Sequence, residues 1–363
     1  MTVGTVLMLL AGLAALGGGG DVLVRGASGL AKALGIPPLV VGLTVVSFAT
    51  SAPELAVTLQ AAVEGNPGIA IGNVVGSNIA NVLLILGICA VLLPLAVRVQ
   101  MIRIDIPVMV VFAVAALLLA LDGSISRLDG GLLVFALVGY TAVTVVVARR
   151  RQEEEVAPAR VGAVPASPWV ALGLVAVGVA LLVVGARLLV GGATEIASAF
   201  GVSDLVIGLT VVSVGTSLPE LAASLVAAAR GERDLAVGNV VGSCLFNVGA
   251  VLGITGLVVS GGVPVASAAV RLDIPIMIAA SLVLIPVAFT GLAIARWEGG
   301  LFVAYYAAYV VYVLLAAAEH DAVTPFSGVM LSFVIPITVL WLALLVAYEI
   351  GLRRGRRRAS PPT

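Results

Sequence analysis

Apolar residues run through this chain in blocks of about 20, each long enough to cross a hydrocarbon core of about 30 Å as a helix. The blocks fall at about 3–33, 37–64, 67–94, 103–121 and 129–149, then at about 168–199, 203–229, 234–258, 270–291 and 298–317. An eleventh lies at about 326–350. Short polar stretches separate them. The pattern predicts an all-α integral membrane protein. Residues 150–167 (RRQEEEVAPARVGAVPAS) are charged and rich in Pro and Ala, and read as a linker too short to form a domain.

The blocks are one unit written twice. Residues 42–81 align with 208–247 at a constant offset of 166, with 24 identities in 40 positions. GLTVVSFATSAPE pairs with GLTVVSVGTSLPE, and IGNVVGSNIAN with VGNVVGSCLFN. Shared apolar composition does not produce matches at Ser, Thr, Asn, Pro and Glu. Upstream, GASGLAKALGI (26–36) matches GATEIASAFGV (192–202); downstream, RIDIPVM (103–109) matches RLDIPIM (271–277), and RLDGGLL (127–133) matches RWEGGLF (296–302). Five spans per copy is an odd number, so the second copy must enter the membrane from the opposite side. The expected architecture is two inverted-topology repeats of five helices, a ten-helix core, plus an extra helix; many secondary transporters are built this way. The expected divisions are 1–149 for the first repeat, 150–167 for a cytoplasmic linker, 168–317 for the inverted second repeat, and 318–363 for the extra helix and a basic cytoplasmic tail. The first span has a counterpart in the second copy and lacks a basic n-region, so it reads as a retained span rather than a signal peptide.

Charge sets the expected orientation. With the N-terminus outside, 16 of the 19 Lys and Arg residues face the cytoplasm and only Arg127, Arg187 and Arg271 remain outside. The expected location is the cell (inner or plasma) membrane. The RRGRRR tail then anchors the last span on the cytoplasmic side. Only 10% of residues are charged and 61% are hydrophobic, where a soluble domain carries about 25% charged residues. Lys+Arg and Asp+Glu balance at 19 each, which gives no reason to expect a nucleic-acid partner. Cys89 and Cys244 lie in apolar blocks and imply no disulfide framework. His320 sits in a polar stretch and reads as a surface residue. No G-x-S-x-G, H-E-x-x-H or paired catalytic aspartates occur in the spans, so neither an enzyme nor a bound cofactor is expected. No obligate protein partner is evident.

Two pentapeptides interrupt the apolar pattern: TSAPE at 50–54 and TSLPE at 216–220. Pro53 has no N–H and breaks the helix ladder, which predicts freed carbonyls near Ser47 to Thr50. Irregular backbone is tolerated at membrane depth only where it lines a cavity or meets a ligand. An ionisable residue there costs about 3 kcal/mol on insertion scales and marks a functional site. In the next span Asn73, Ser77 and Asn81 share one helix stripe, mirrored by Asn239, Ser243 and Asn247. The combined inventory is Glu54 and Glu220, the hydroxyls of Thr50, Ser51, Ser77, Thr216, Ser217 and Ser243, and the amides of Asn81 and Asn247. All of them offer oxygen, which suits hard cations such as Ca²⁺ and Na⁺. Two carboxylates balance one Ca²⁺, and the same oxygens can be shared among Na⁺ ions.

The paired G-L-T-V-V-S-x-x-T-S-x-P-E and G-N-V-V-G-S-x-x-x-N motifs resemble the alpha repeats of the calcium/cation antiporter superfamily, and most closely its prokaryotic sodium/calcium exchanger branch. The resemblance spans all ten repeated blocks. It implies that Glu54 and Glu220 coordinate Ca²⁺ and touch Na⁺, with help from Thr50 and Thr216. It also implies one Na⁺ site from Ser51, Ser77 and the Ser47 carbonyl, and a mirror site from Ser217, Ser243 and the Ser213 carbonyl. The first and sixth spans would slide over this core. Some relatives carry Asp where this chain has Asn247, and Cys244 stands where the first repeat has Asn78. The linker is too short for cytosolic calcium-sensing domains. A proton/calcium antiporter is the alternative within the class, although T-S-x-P-E stands where that branch carries G-N-x-x-E. A cation channel is the remote alternative, since it too could use midplane carboxylates.

Overall fold

The computed structural model describes residues 3–154, 167–200 and 213–359. Its main helices are α1 (Val3–Leu34), α2 (Pro38–Thr50), α3 (Ala52–Val63), α4 (Pro67–Leu92), α5 (Met101–Asp122), α6 (Arg127–Glu154), α7 (Pro168–Ala199), α8 (Leu218–Ala229), α9 (Arg233–Val258), α10 (Ala269–Phe289), α11 (Arg296–Ala317) and α12 (Val323–Leu352). Among the described residues nine helices are long and apolar enough to cross a membrane, and α2 with α3 forms a tenth, bent span. The chain is a multi-pass helical membrane protein. Residues 155–166 of the expected linker and 203–212 of the expected seventh span lie outside the described residues. Helix α6 continues past the expected end of the fifth span to Glu154.

Burial sorts the helices into layers. Within their most apolar windows α4 and α9 are each 78% buried, whereas α5 and α10 are 39% buried and α6 only 22%. The two motif-bearing helices therefore form the centre, with α5, α6, α10 and α11 between them and lipid. Helix α2 packs on α9, α3 on α4, and α8 on α9. Helix α12 is 6% buried and leans on α10 and α11. Tyr305 Oη donates to Thr338 Oγ1 across that contact at 2.6 Å.

Four two-residue strands appear that the apolar pattern does not show: β1 (Leu95–Ala96), β2 (Ser124–Ile125), β3 (Val263–Pro264) and β4 (Ala293–Ile294). β1 pairs with β4 and β2 with β3, both antiparallel. Each pair joins a loop of one half to a loop of the other. Such short strands need no β-propensity run, only loop backbone that finds a partner in place of water. The central helices also contain π turns at matching places, Ala80–Ile85 with Asn247–Leu252 and Met101–Asp105 with Ala269–Asp273. π turns are rare and are frequent at functional sites.

Helices α1 and α7 form a separate long pair. Gly12, Gly19 and Gly26 recur every seven residues, as do Gly178, Gly185 and Gly192. These glycines face the opposite backbone in antiparallel order: a Cβ at Gly12 would lie 2.9 Å from Leu189 N, at Gly19 2.9 Å from Leu182 N, and at Gly26 2.7 Å from Val175 N. A Cβ on Gly178 would lie 2.6 Å from Leu23 N. Small residues let helix backbones approach closely in lipid, where dispersion replaces the hydrophobic effect as the driving force. Near one end of the pair Thr5 Oγ1 donates to Glu195 Oε2 at 2.7 Å. Gly178→Leu should force the pair apart and cost at least about 1–3 kcal/mol by overpacking. Gly17→Ala, which meets nothing within 4 Å, should be neutral or stabilising. Thermal melting of both variants in detergent tests this contrast.

Candidate ion-binding site

Both pentapeptides sit at helix breaks. Ser51 leaves helical geometry at φ −81°, ψ 2°, Pro53 occupies the first turn of α3, and α2 and α3 meet at 42°. Ser217 repeats this at φ −91°, ψ 5°, with Pro219 in the first turn of α8. Glu54 and Glu220 thus fall in the first turn of α3 and α8. There the helix dipole favours negative charge, and the early N–H groups have no intrahelical acceptor.

The breaks free fewer carbonyls than the prolines predict. Ser51 N–H donates to Ser47 O at 2.9 Å, and Thr50 Oγ1 donates to the same oxygen at 3.4 Å. The Ser47 carbonyl is therefore engaged, because Pro53 can withhold a donor only from Ala49, one turn before it. The Ser47 hydroxyl also points away from an ion role: it donates to Gly42 O at 2.6 Å and Asn239 O at 2.9 Å. In the second break Ser217 N–H donates to Val214 O at 3.1 Å, so the turn closes three residues back instead of four. The side chain of Ser213 lies outside the described residues.

The rest of the predicted set converges. Glu54 and Glu220 are each 1% exposed, and Thr50, Ser51, Ser77, Asn81, Ser217, Ser243 and Asn247 are all buried. Thr216 is half-buried. The two carboxylates are near enough to act on each other as charges. Thr50 and Ser51 lie beside the Glu220 carboxylate, although neither Glu220 oxygen has a partner in hydrogen-bond geometry. The π turn carrying Asn247 packs on α3, and the one carrying Asn81 packs on α8. Each amide thus stands against the helix that bears a glutamate.

Among the described residues ten buried side-chain N or O atoms have no hydrogen-bond partner, and nine belong to this set. They are Ser51 Oγ, Glu54 Oε2, Ser77 Oγ, Asn81 Oδ1, Ser217 Oγ, both Glu220 carboxylate oxygens, Ser243 Oγ and Asn247 Oδ1. The tenth, Ser28 Oγ, is on α1. Buried polar atoms are normally paired, and leaving one unpaired costs about 1–3 kcal/mol. Nine orphaned oxygens, all from residues repeated between the two halves, are chemically suited to a hard cation. Among the described residues no group of three or more His, Cys, Asp or Glu could hold a metal. Within this set the only ionisable groups are the carboxyls of Glu54 and Glu220, and the other oxygens are neutral.

Asn73 and Asn239 stand outside that set and scaffold it. Asn239 Nδ2 donates to Ser224 Oγ at 2.9 Å and Glu220 O at 3.5 Å, and Asn239 Oδ1 accepts from Thr50 Oγ1 at 3.3 Å. Asn73 Nδ2 donates to Thr58 Oγ1 at 2.9 Å and Glu54 O at 3.3 Å. Each clamps a glutamate-bearing helix onto its neighbour. Thr58 and Ser224 were not singled out by the motif reading, although the offset of 166 marks both as a repeated hydroxyl in an apolar run.

The family described as sodium/calcium exchanger protein matches residues 4–146 and 170–315. The putative antiporter CaxA of Alkalimonas amylolytica is 41% identical over 288 residues, covering 78% of this chain and 89% of that protein. The sodium/calcium exchanger MaX1 of Methanosarcina acetivorans is 48% identical over 108 residues, 30% of this chain and 31% of its own. The solved sodium-calcium exchanger NCX_Mj superposes with a TM-score of 0.74 at 33% identity, covering 86% of this chain and all of that one.

Asn239→Leu should destabilise the protein more than Asn73→Leu. Asn239 is 1% exposed and its side chain has three partners, Thr50, Ser224 and the Glu220 carbonyl, so about 1–3 kcal/mol should be lost there. Asn73 is only partly buried and should lose less. Denaturation midpoints of the two purified variants decide the order.

Proposed function

Because the chain belongs to the sodium/calcium exchanger protein family, we propose that it exchanges Na⁺ for Ca²⁺ by alternating access, binding the ions at the meeting point of its two broken helices. Proteins of this family are cation/Ca²⁺ antiporters, so the chain is a transporter and not an enzyme, and the family implies no cofactor. The observation that carries the finer reading is the set of nine orphaned oxygens. Glu54 and Glu220 supply the −2 that balances one dehydrated Ca²⁺. Thr50 and Thr216 add Ca²⁺ ligands, and Ser51 with Ser77, and Ser217 with Ser243, offer mirrored places for Na⁺. Asn81 and Asn247 supply neutral carbonyls, and the backbone carbonyl of Ser213 and the remaining lone pair of the Ser47 carbonyl complete the candidate set. Because the same carboxylates serve both cations, occupancy by one excludes the other, and that competition couples the two fluxes.

In this reading residues 1–149 and 168–317 are two inverted halves, and the N-terminus faces outward across the cell membrane. The antiparallel α1–α7 pair supports it, as do the two strand pairs, β1 with β4 and β2 with β3, which the repeat relates to each other. The α1–α7 pair rests on the core through α8: a Cβ at Gly20 would lie 2.9 Å from Val226 Cγ2, and Asp21 forms ion pairs with Arg230 and Arg25. At the offset of 166 the other half carries Arg187 and Glu64 in place of Asp21 and Arg230, with the charges exchanged.

Glu54→Gln or Glu220→Gln should abolish Ca²⁺ exchange and leave the protein folded. Counter-ion-resolved Ca²⁺ uptake into proteoliposomes tests this, and the same assay tests coupling: uptake should follow an imposed Na⁺ gradient. Uptake that follows a pH gradient and ignores Na⁺ would make the protein a proton/calcium antiporter. Current that persists without any counter-ion would make it a channel. Asp21→Asn should loosen α1 from α8. Exposed ion pairs contribute at most about 1 kcal/mol, so the balance between access states should shift by no more than about fivefold. Spin-label distances between positions 17 and 232 in a cysteine-free background would report the shift.

A further inference from the structure

The two site amides are mirrored in sequence but are not held alike. Asn247 Nδ2 donates to Asn78 Oδ1 at 3.2 Å. Asn78 Nδ2 in turn donates to Met277 Sδ at 3.3 Å. Asn78 and Met277 are 3% and 1% exposed, so water does not compete for these bonds. In the other half Cys244 occupies the position equivalent to Asn78. Its thiol lies against Asn81 and donates to Asn78 O at 3.9 Å.

A thioether has no hydrogen to give, so it can only accept. That fixes the first amide: the NH₂ of Asn78 must face Met277, and its carbonyl must face Asn247. The second amide follows. Asn247 has to present its own NH₂ to that carbonyl, which leaves Oδ1 as the buried atom without a partner, one of the nine candidate ion-binding oxygens. Had Asn247 faced the other way, a donor would point at the cation. We propose that Asn78 is a positioning residue for ion binding, reading its own orientation from Met277 and forcing Asn247 to offer oxygen. In the other half Asn81 has the Cys244 sulfur as its neighbour, a weaker acceptor than the amide carbonyl that meets Asn247, so Asn81 is held less firmly than Asn247. This inference rests on the antiporter reading given above.

Ca²⁺ exchange by reconstituted protein, followed against Ca²⁺ concentration, tests it. Asn78→Leu should raise the half-saturating Ca²⁺ by about tenfold, the effect of losing one oriented bond to a buried group, with the maximal rate changed by less than about twofold. Met277→Leu, close in volume, removes the acceptor and keeps both amides; it should shift half-saturation the same way by about threefold. It serves as the reporter if Asn78→Leu does not fold. The decisive arm is Asn247→Asp. A carboxylate offers oxygen in either orientation, so adding Asn78→Leu to it should move half-saturation by less than about twofold. If Asn247→Asp does not exchange, calorimetric Ca²⁺ binding to the purified variants makes the same comparison. An Asn78→Leu effect confined to the maximal rate, or equally large in the Asn247→Asp background, would overturn the proposal. Glu54→Gln separates the two levels. Exchange surviving Glu54→Gln defeats the ion-site reading itself, whereas its loss beside an unaffected Asn78→Leu defeats only the role of Asn78.

Discussion

The rest of the structure is arranged around two carboxylates, each 1% exposed and close enough to act on each other as charges, with no salt bridge to either among the described residues. Such a pair is tolerable at membrane depth only if a cation or protons join it, since the interior cannot solvate uncompensated charge. The helix breaks follow from that requirement. By starting α3 and α8 in mid-membrane, Pro53 and Pro219 put the glutamates at helix N-termini, where the field favours an anion. The burial of α4 and α9 follows as well. Their hydroxyls and amides must lie near the carboxylates, so these two helices are the most buried of the long spans. Asn73 and Asn239 then use the hydrogen bonds that side chains at this depth can make to keep the broken halves against their neighbours.

Most of this site is legible in the sequence, because an inverted repeat is its own control. A Thr, Ser, Asn or Glu in an apolar run carries little information alone, but the same residue 166 positions later does. That logic finds Glu54, Glu220, Ser51, Ser217, Ser77, Ser243, Asn81 and Asn247, which together hold the nine orphaned oxygens. It says less about Ser47, which is also repeated, because repetition does not reveal which way a hydroxyl turns. The hydroxyl of Ser47 is committed to two carbonyls, and its own carbonyl keeps an ordinary helical donor. The relay from Met277 through Asn78 is invisible for the opposite reason. Its key residue breaks the repeat, so the comparison that highlights the others passes over it.

The fold was less legible than the site in its irregular parts. Apolar blocks report helices by length, and α12 and the ends of α4 and α9 follow them closely. They do not report the π turns, which alter hydrogen bonding without altering hydropathy, nor two-residue strands made of loop backbone. Both features place functional groups. The π turns at Ala80–Ile85 and Asn247–Leu252 aim Asn81 and Asn247 at α8 and α3. The strand pairs tie the loops of one half to those of the other.

The glycine spacing on α1 and α7 also sets a unit of travel. Each helix presents a notch every seven residues, or about 10 Å of helix axis. Opposite the notches lie the backbones of Leu189 and Leu182 on one helix and of Leu23 and Leu16 on the other. Backbone contact this close recurs only after a full notch. A displacement shorter than that step would cost the pair its close contacts. It would be accommodated more cheaply where α1 meets α8 and α2, with the seam held as one body.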